Sequence, residues 1–196
     1  MATKIGLPDV GLLAADRLEV RLLSGADAAA FQALRLEALV RHPAAFAAAY
    51  DEEADQPLAE VALRLDQGLV FGAVANGALA GSAGLAIPAR AKKLHKGDLW
   101  GVYVREDARA QGLGRRLVEA VIAHARGQLE QLHATVTVGN QAARQLYRSL
   151  GFQTYGREPR GLKVGETYFD QELLVLLLRD LPRPRRSGPR TTVQRS

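Results

Sequence analysis

The chain reads as a single α/β domain, a mixed central sheet of about six to seven strands flanked by about four helices. Three observations predict this. Strand-like and helix-like periodicities alternate along 18–178 in the order β-α-α-β-β-β-α-β-α-β-β. Asn76-Gly77, a strong two-residue hairpin signal, joins two strand-like runs. A β-branched and aromatic run, Leu99–Val104, leads through a polar segment into a glycine turn and an amphipathic helix.

The elements follow in order. Leu18 to Leu23 alternates apolar and charged residues, as a half-buried strand does. Ser24-Gly-Ala-Asp27 supplies helix-start chemistry, and Phe31, Leu34, Leu36, Leu39 and Val40 lie broadly on one helical side before Pro43 ends the helix. A weaker Ala-rich helix with an acidic patch is predicted over much of 44–66, then strands at Leu69–Ala75 and Ala78–Ile87. A basic loop (Arg90, Lys92, Lys93, His95, Lys96) precedes the Leu99–Val104 strand. The next helix runs from about Gly112 to Arg126, with Leu113, Leu117, Val121, Ile122 and Ala125 on one face. His133–Val138 is a strand, and Asn140 to Leu150 a helix that Gly151 is placed to end. Phe152–Tyr155 and Tyr168–Leu178 read as a closing strand pair around a charged loop, 157–167.

Composition narrows the function classes. The 196 residues suit one domain, read here as an extension over 1–17, a domain over 18–180 and a basic tail over 181–196. With no cysteine there is no disulfide framework, thiolate zinc site or cysteine nucleophile, and no metal is expected. The N-terminus makes a poor signal peptide, and no run approaches the roughly 20 apolar residues of a membrane span. A cytoplasmic protein without membrane contact is expected. The net charge of +5 sits in the tail, in Arg183, Arg185, Arg186, Arg190 and Arg195. Set those aside and the remaining basic residues match the 21 acidic ones, which argues against nucleic acid as the main partner. The tail's prolines and polar residues predict disorder.

The most loaded segment is Arg109-Ala-Gln-Gly112-Leu-Gly114-Arg115, between a strand and a helix. A helix N-terminus exposes unpaired N–H groups and the positive end of the macrodipole, and small residues let an anion come close. The spacing is neither that of a P-loop nor that of a Gly-x-Gly-x-x-Gly dinucleotide turn.

Val102-Tyr-Val-Arg-Glu-Asp-Ala-Arg109-Ala-Gln-Gly112-Leu-Gly114 resembles the acetyl-CoA signature of the GNAT superfamily of N-acetyltransferases. A second block follows about where that family has it, Val138-Gly-Asn140-Gln-Ala-Ala143-Arg-Gln-Leu146-Tyr147-Arg-Ser-Leu-Gly151-Phe152. Ala110 stands where many members have glycine. The resemblance implies that the two strands matching 99–104 and 133–138 splay apart to admit the pantetheine arm, which pairs with backbone at Val102 and Val104. It further implies a pyrophosphate held by backbone N–H groups from Arg109 through Ala110, Gln111, Gly112 and Leu113 to Gly114, with Arg115. Asn140 and Ala143 fall at the cofactor arm, and Tyr147 near the coenzyme sulfur, where its hydroxyl can protonate the thiolate. An amine would attack the thioester directly, which needs no cysteine. Homodimers are common in the family, and a homodimer is carried as an expectation of the resemblance.

Relatives that acetylate ribosomal alanine have a glutamate five residues before the second-block asparagine. Here that position is Thr135. Candidate bases are therefore Asp98, His95 and Glu166, with Asp98 carried as the catalytic choice. Asp51, Glu52, Glu53 and Glu158 are candidates for attracting a cationic amine. The leading expectation is transfer of acetyl from acetyl-CoA to a primary amine of a small molecule or peptide. Alternatives are a catalytically silent acyl-CoA sensor, and an RNA- or ribosome-associated protein using the arginine tail.

Overall fold

The computed structural model describes residues 18–179, so the expected extension over 1–17 and tail over 181–196 lie outside the described residues. One mixed sheet carries seven strands in the order β1-β2-β3-β4-β5-β7-β6. They are β1 (Leu18–Leu22), β2 (Leu69–Ala75), β3 (Ala78–Ala86), β4 (Lys96–Val104), β5 (Gln131–Thr137), β6 (Gln153–Val164) and β7 (Thr167–Leu177). The helices are α1 (Ala28–Arg41), α2 (Tyr50–Glu53), α3 (Leu58–Gln67), α4 (Leu113–Arg126) and α5 (Gln141–Ser149). All neighbouring strands are antiparallel except β4 and β5. That pair is parallel because α4 returns the chain to the start of the sheet between them.

Alternation along the strands sends buried side chains to both faces of the sheet. In β2, Val70 joins Leu23, Phe31, Val61 and Leu65 under α1 and α3. Ala73 of the same strand packs on the other face with Leu117 and Val121 of α4. Leu113, Leu117, Val118 and Val121 are almost wholly buried, as the helical period predicts. Truncating one of these leucines to alanine costs about 2–5 kcal/mol at such a site. α4 is thereby a rigid mount for whatever its N-terminus holds.

Four local expectations are corrected. The predicted helix over 44–66 is two helices, because Pro57 lacks an N–H to continue the first and instead caps α3. In α1, Val40 is exposed while Arg35 takes a buried place in the stripe. Lys96, read as the end of a basic loop, already belongs to β4. The predicted charged loop over 157–167 is mostly strand: β6 runs to Val164 and turns tightly at Gly165-Glu166 into β7. Its alternation is hidden by bulges near Gly156 and between Glu158 and Leu162. The Asn76-Gly77 hairpin forms as expected, with both residues at positive φ (51° and 80°).

Candidate active site

β4 and β5 pair at only three positions, Lys96↔Gln131, Gly97↔Leu132 and Asp98↔His133. Beyond Asp98 the strands part. The cause is a bulge in β4: Ser82 faces Tyr103 and Gly84 faces Trp100, so Gly101 and Val102 together oppose Ala83. Gly101 has φ +63°, which glycine adopts without a Cβ clash, and the Ser82 hydroxyl donates to its carbonyl (3.2 Å). A bulge bends its strand, which opens the V. A cleft of about 480 Å³ fills the gap, bordered by both strands, α1, the 45–48 segment and the start of α5. The Thr137 hydroxyl donates to the Ala44 carbonyl and so ties the 43–48 segment across the end of β5.

The glycine turn follows the open end of β4. Ala110 and Gly112 both have positive φ (63° and 75°), and Gly112 caps α4. The first helical bond runs from Arg116 N–H to Gly112 O (3.1 Å), so the N–H groups of Leu113, Gly114 and Arg115 have no intrahelical acceptor. A Cβ on Gly114 would lie 3.7 Å from Val104 and 3.6 Å from Leu146, so the turn sits against both β4 and α5. The Leu113 side chain is buried in the core, leaving only its backbone to face a ligand.

The arginines are less free than their spacing suggests. Arg109 N–H already donates to Glu106 O (3.3 Å). Its guanidinium donates to Val104 O (3.1 Å) and lies 2.9 Å from His42 Nε2, strapping the turn to the end of β4. Arg115 pairs with Glu119 (2.8 Å) and touches Ser149 Oγ (3.2 Å) at an exposed site. Gln111 is exposed beside the turn.

Val102, Asn140, Ala143 and Tyr147 all line the cleft. Asn140 is the α5 N-cap, its Oδ1 accepting from Ala143 N–H (3.1 Å), so the amide has a structural role as well. Tyr147 is 6% exposed, packed on Phe152 with ring centroids 5.5 Å apart. Its hydroxyl has no hydrogen-bond partner among the described residues, and burial pushes its pKa up to about 12. A phenol so placed keeps its proton at neutral pH and has it to give.

Of the candidate bases, Asp98 alone borders the cleft. Glu166 is a hairpin tip with its side chain 98% exposed, held loosely by Lys163 at 3.8 Å, and is corrected to a surface charge. His95 lies before β4, outside the cleft lining, and its carbonyl serves the backbone of Glu130 and Gln131. Among the acidic candidates, Asp51 and Glu52 are exposed on α2, where Glu52 caps the helix through Ala49 N–H (2.9 Å), and Glu158 is exposed on β6. Glu53 instead turns inward to pair with Arg35.

Sequence reasoning passes over two cleft residues, His133 and Arg35. His133 stands two positions before Thr135, so strand alternation gives both the same face, a signal that was available. Burial, with Lys96 nearby, holds its pKa below the ordinary histidine value, while Asp98 pulls the other way. Its Nε2 lies 3.1 Å from Gln131 Oε1; with Nε2–H donating to that oxygen, Nδ1 keeps its lone pair. Arg35 hides in an apolar helical stripe, where a charged residue reads as a helix-flank solvent group.

The profile of the Acetyltransferase (GNAT) family matches residues 31–152. Curated L-methionine sulfoximine/L-methionine sulfone acetyltransferases of Pseudomonas paraeruginosa and Pseudomonas aeruginosa are each 41% identical over 90 residues, 45% of this chain and 49% of theirs. The chain thus spans about half the length of the curated relatives it matches. The acetyltransferase of the GNAT family from Streptococcus pneumoniae superposes with TM-score 0.74 at 29% identity, covering 82% of this chain and 99% of that one. The Salmonella typhimurium protein yncA, solved with its cofactor acetyl-CoA, gives TM-score 0.71 at 25% identity over 86% of this chain and 98% of its own. With the family profile spanning more than half of its length and the splayed sheet in place, the chain belongs to the acetyltransferase (GNAT) family.

Proposed function

We propose that this protein is an N-acetyltransferase that takes acetyl-CoA as co-substrate and acetylates a primary amine of a small molecule by direct attack. The observation that carries this reading is the opening between β4 and β5, with Tyr147 inside it and the Ala110–Arg115 turn beyond its end. It is supported by the likeness to yncA with its acetyl-CoA and by the acetyltransferase activity of the Pseudomonas relatives.

The residues present fit such a co-substrate. The edge of β4 from Leu99 to Val104 has no strand partner on the β5 side, so backbone at Val102, and at Val104 beside the Arg109 strap on its carbonyl, is open to an extended arm. The unpaired N–H groups of Leu113, Gly114 and Arg115 suit a pyrophosphate, with Arg115 adding charge from the rim. Arg109 acts here through its strap to Val104 O rather than by reaching the anion. Acetyl-CoA supplies a thioester whose carbonyl carbon accepts the new C–N bond as the C–S bond breaks. Asp98 and His133, at the closed end of the V, take the proton that the ammonium must lose, and neutral His133 Nδ1 is the receiving atom. The Tyr147 hydroxyl gives its proton to the departing sulfur and is reprotonated from solvent.

Isothermal titration with acetyl-CoA, followed by a CoA-release assay over an amine panel, tests the proposal. Micromolar or tighter binding with amine-dependent CoA release is expected. A folded protein that neither binds acetyl-CoA nor releases CoA would overturn it.

A further inference from the structure

We propose that the acceptor is a free amino acid or similar zwitterion, an amine carrying a carboxylate, and that Arg35 holds the carboxylate. The inference rests on the acetyltransferase reading and deepens it. Arg35 lines the cleft with its side chain only 9% exposed. Its guanidinium carbon lies 5.1 Å from the Phe46 ring centroid and 5.9 Å from that of Trp100, so the group is held by aromatic faces.

Glu53 accepts from Nε and Nη2 at 2.9–3.3 Å. Nη1 has no acceptor among the described residues, and a Cβ at Gly101 would stand 3.9 Å from it, so it lies beside the β4 bulge on the cleft wall. Two N–H donors are therefore presented by a cation that is fixed, largely desolvated and half satisfied. A carboxylate completes it with charge-assisted bonds, whereas an apolar group leaves it unpaired at a cost of about 1–3 kcal/mol.

The opposite sign stands elsewhere in the same cleft. Asp98 borders it at the closed end, where an ammonium would be met before it is deprotonated. One acidic and one basic position in a single cavity complement a zwitterion. Glu53 already offsets much of the Arg35 charge, which matches a monoanion and disfavours a phosphate dianion. A peptide N-terminus carries an amide where the free amino acid carries its carboxylate, and so leaves Nη1 without its charged partner.

The test compares CoA release with L-amino acids and with their matched carboxamides. The acids are expected to show kcat/KM about tenfold or more above the carboxamides. Arg35→Lys keeps the ion pair with Glu53 but lacks the second forked nitrogen. It is expected to raise KM for the acids about tenfold, leave the carboxamides within about twofold and bind acetyl-CoA as before. Glu53→Gln leaves Arg35 in place and is expected to retain or increase the preference for acids. Equal use of acids and carboxamides by the wild type overturns the inference while leaving the acetyltransferase reading intact. An acid preference that survives unchanged in Arg35→Lys removes Arg35 from the role. Absence of turnover with every acid and carboxamide, in a protein that binds acetyl-CoA and releases CoA with another amine, overturns the inference alone; absence of acetyl-CoA binding and of CoA release with any amine overturns both readings.

Discussion

Asp98 and His133 occupy the last paired position of β4 and β5, so their side chains leave the same sheet face where the two strands part. Neither residue needs the other for the fold, since the pairs at Lys96 and Gly97 already close the strands. Their juxtaposition places a carboxylate beside a neutral imidazole at the closed end of the cleft.

If this pair removes the acceptor's proton, Asp98→Asn and His133→Gln each lower kcat by about 10²-fold or more. The pH profile adds a direction. His133 titrates below the ordinary value of about 6.5, so the acid limb of kcat/KM lies below that pH. Asp98 raises the His133 pKa, so Asp98→Asn moves that limb to lower pH. An acid limb that stays in place in His133→Gln would remove His133 from the proton path.

Tyr147→Phe deletes one buried hydroxyl and keeps the ring on Phe152. Because the hydroxyl has no partner among the described residues, the fold loses no hydrogen bond and the melting temperature is expected to hold or rise. Loss of the proton donor is expected to lower kcat about 10²-fold, with acetyl-CoA affinity within about twofold of wild type. Unchanged kcat would make Tyr147 a packing residue.

Much of this site was legible because it is built from backbone. The Gly112-x-Gly114 turn, the strand before it and the Asn140–Tyr147 helix stand together because each is set by local sequence: positive φ, β-branching, a cap. The bulge at Gly101 was not legible, since one glycine in a strand does not announce which neighbour will lose register. The role of Arg35 is hidden in the sequence for a related reason. Its burial depends on Glu53, Phe46 and Trp100, which tertiary packing alone brings to α1. The β6–β7 hairpin is hidden in the sequence because its bulges break the period of two on which strand recognition depends.

The cradle makes a prediction that separates binding from folding. Gly114 has ordinary space around a Cβ and no φ constraint, so Gly114→Ala is expected to fold normally. Gly114→Asp puts a carboxylate beside the unpaired N–H groups of α4 and is expected to abolish acetyl-CoA binding measured by titration, with little change in melting temperature. Unchanged affinity in folded Gly114→Asp would sink the pyrophosphate assignment. Ala110→Gly relieves a non-glycine positive φ, a strain of about 1–3 kcal/mol partly offset by the greater freedom of glycine in the unfolded chain. A rise in melting temperature of about 1–4 °C is expected, with binding preserved.

His133 also couples the site to stability. Its folded pKa lies below the unfolded value of about 6.5, so between those two values the unfolded chain binds more protons than the folded one. Stability is therefore expected to fall as pH drops through about 6.5 toward the folded pKa, and to be insensitive to this group above it. Asp27, whose carboxylate is held well below its ordinary range by Arg21, loses its contribution only in stronger acid, below about 4. Melting curves between pH 5 and 7.5 thus isolate the histidine from that ion pair. His133→Gln is expected to flatten the slope in this window. A slope identical to wild type would mean that the imidazole takes up its proton as readily folded as unfolded, and the neutral base assigned to it at the closed end of the V would be lost.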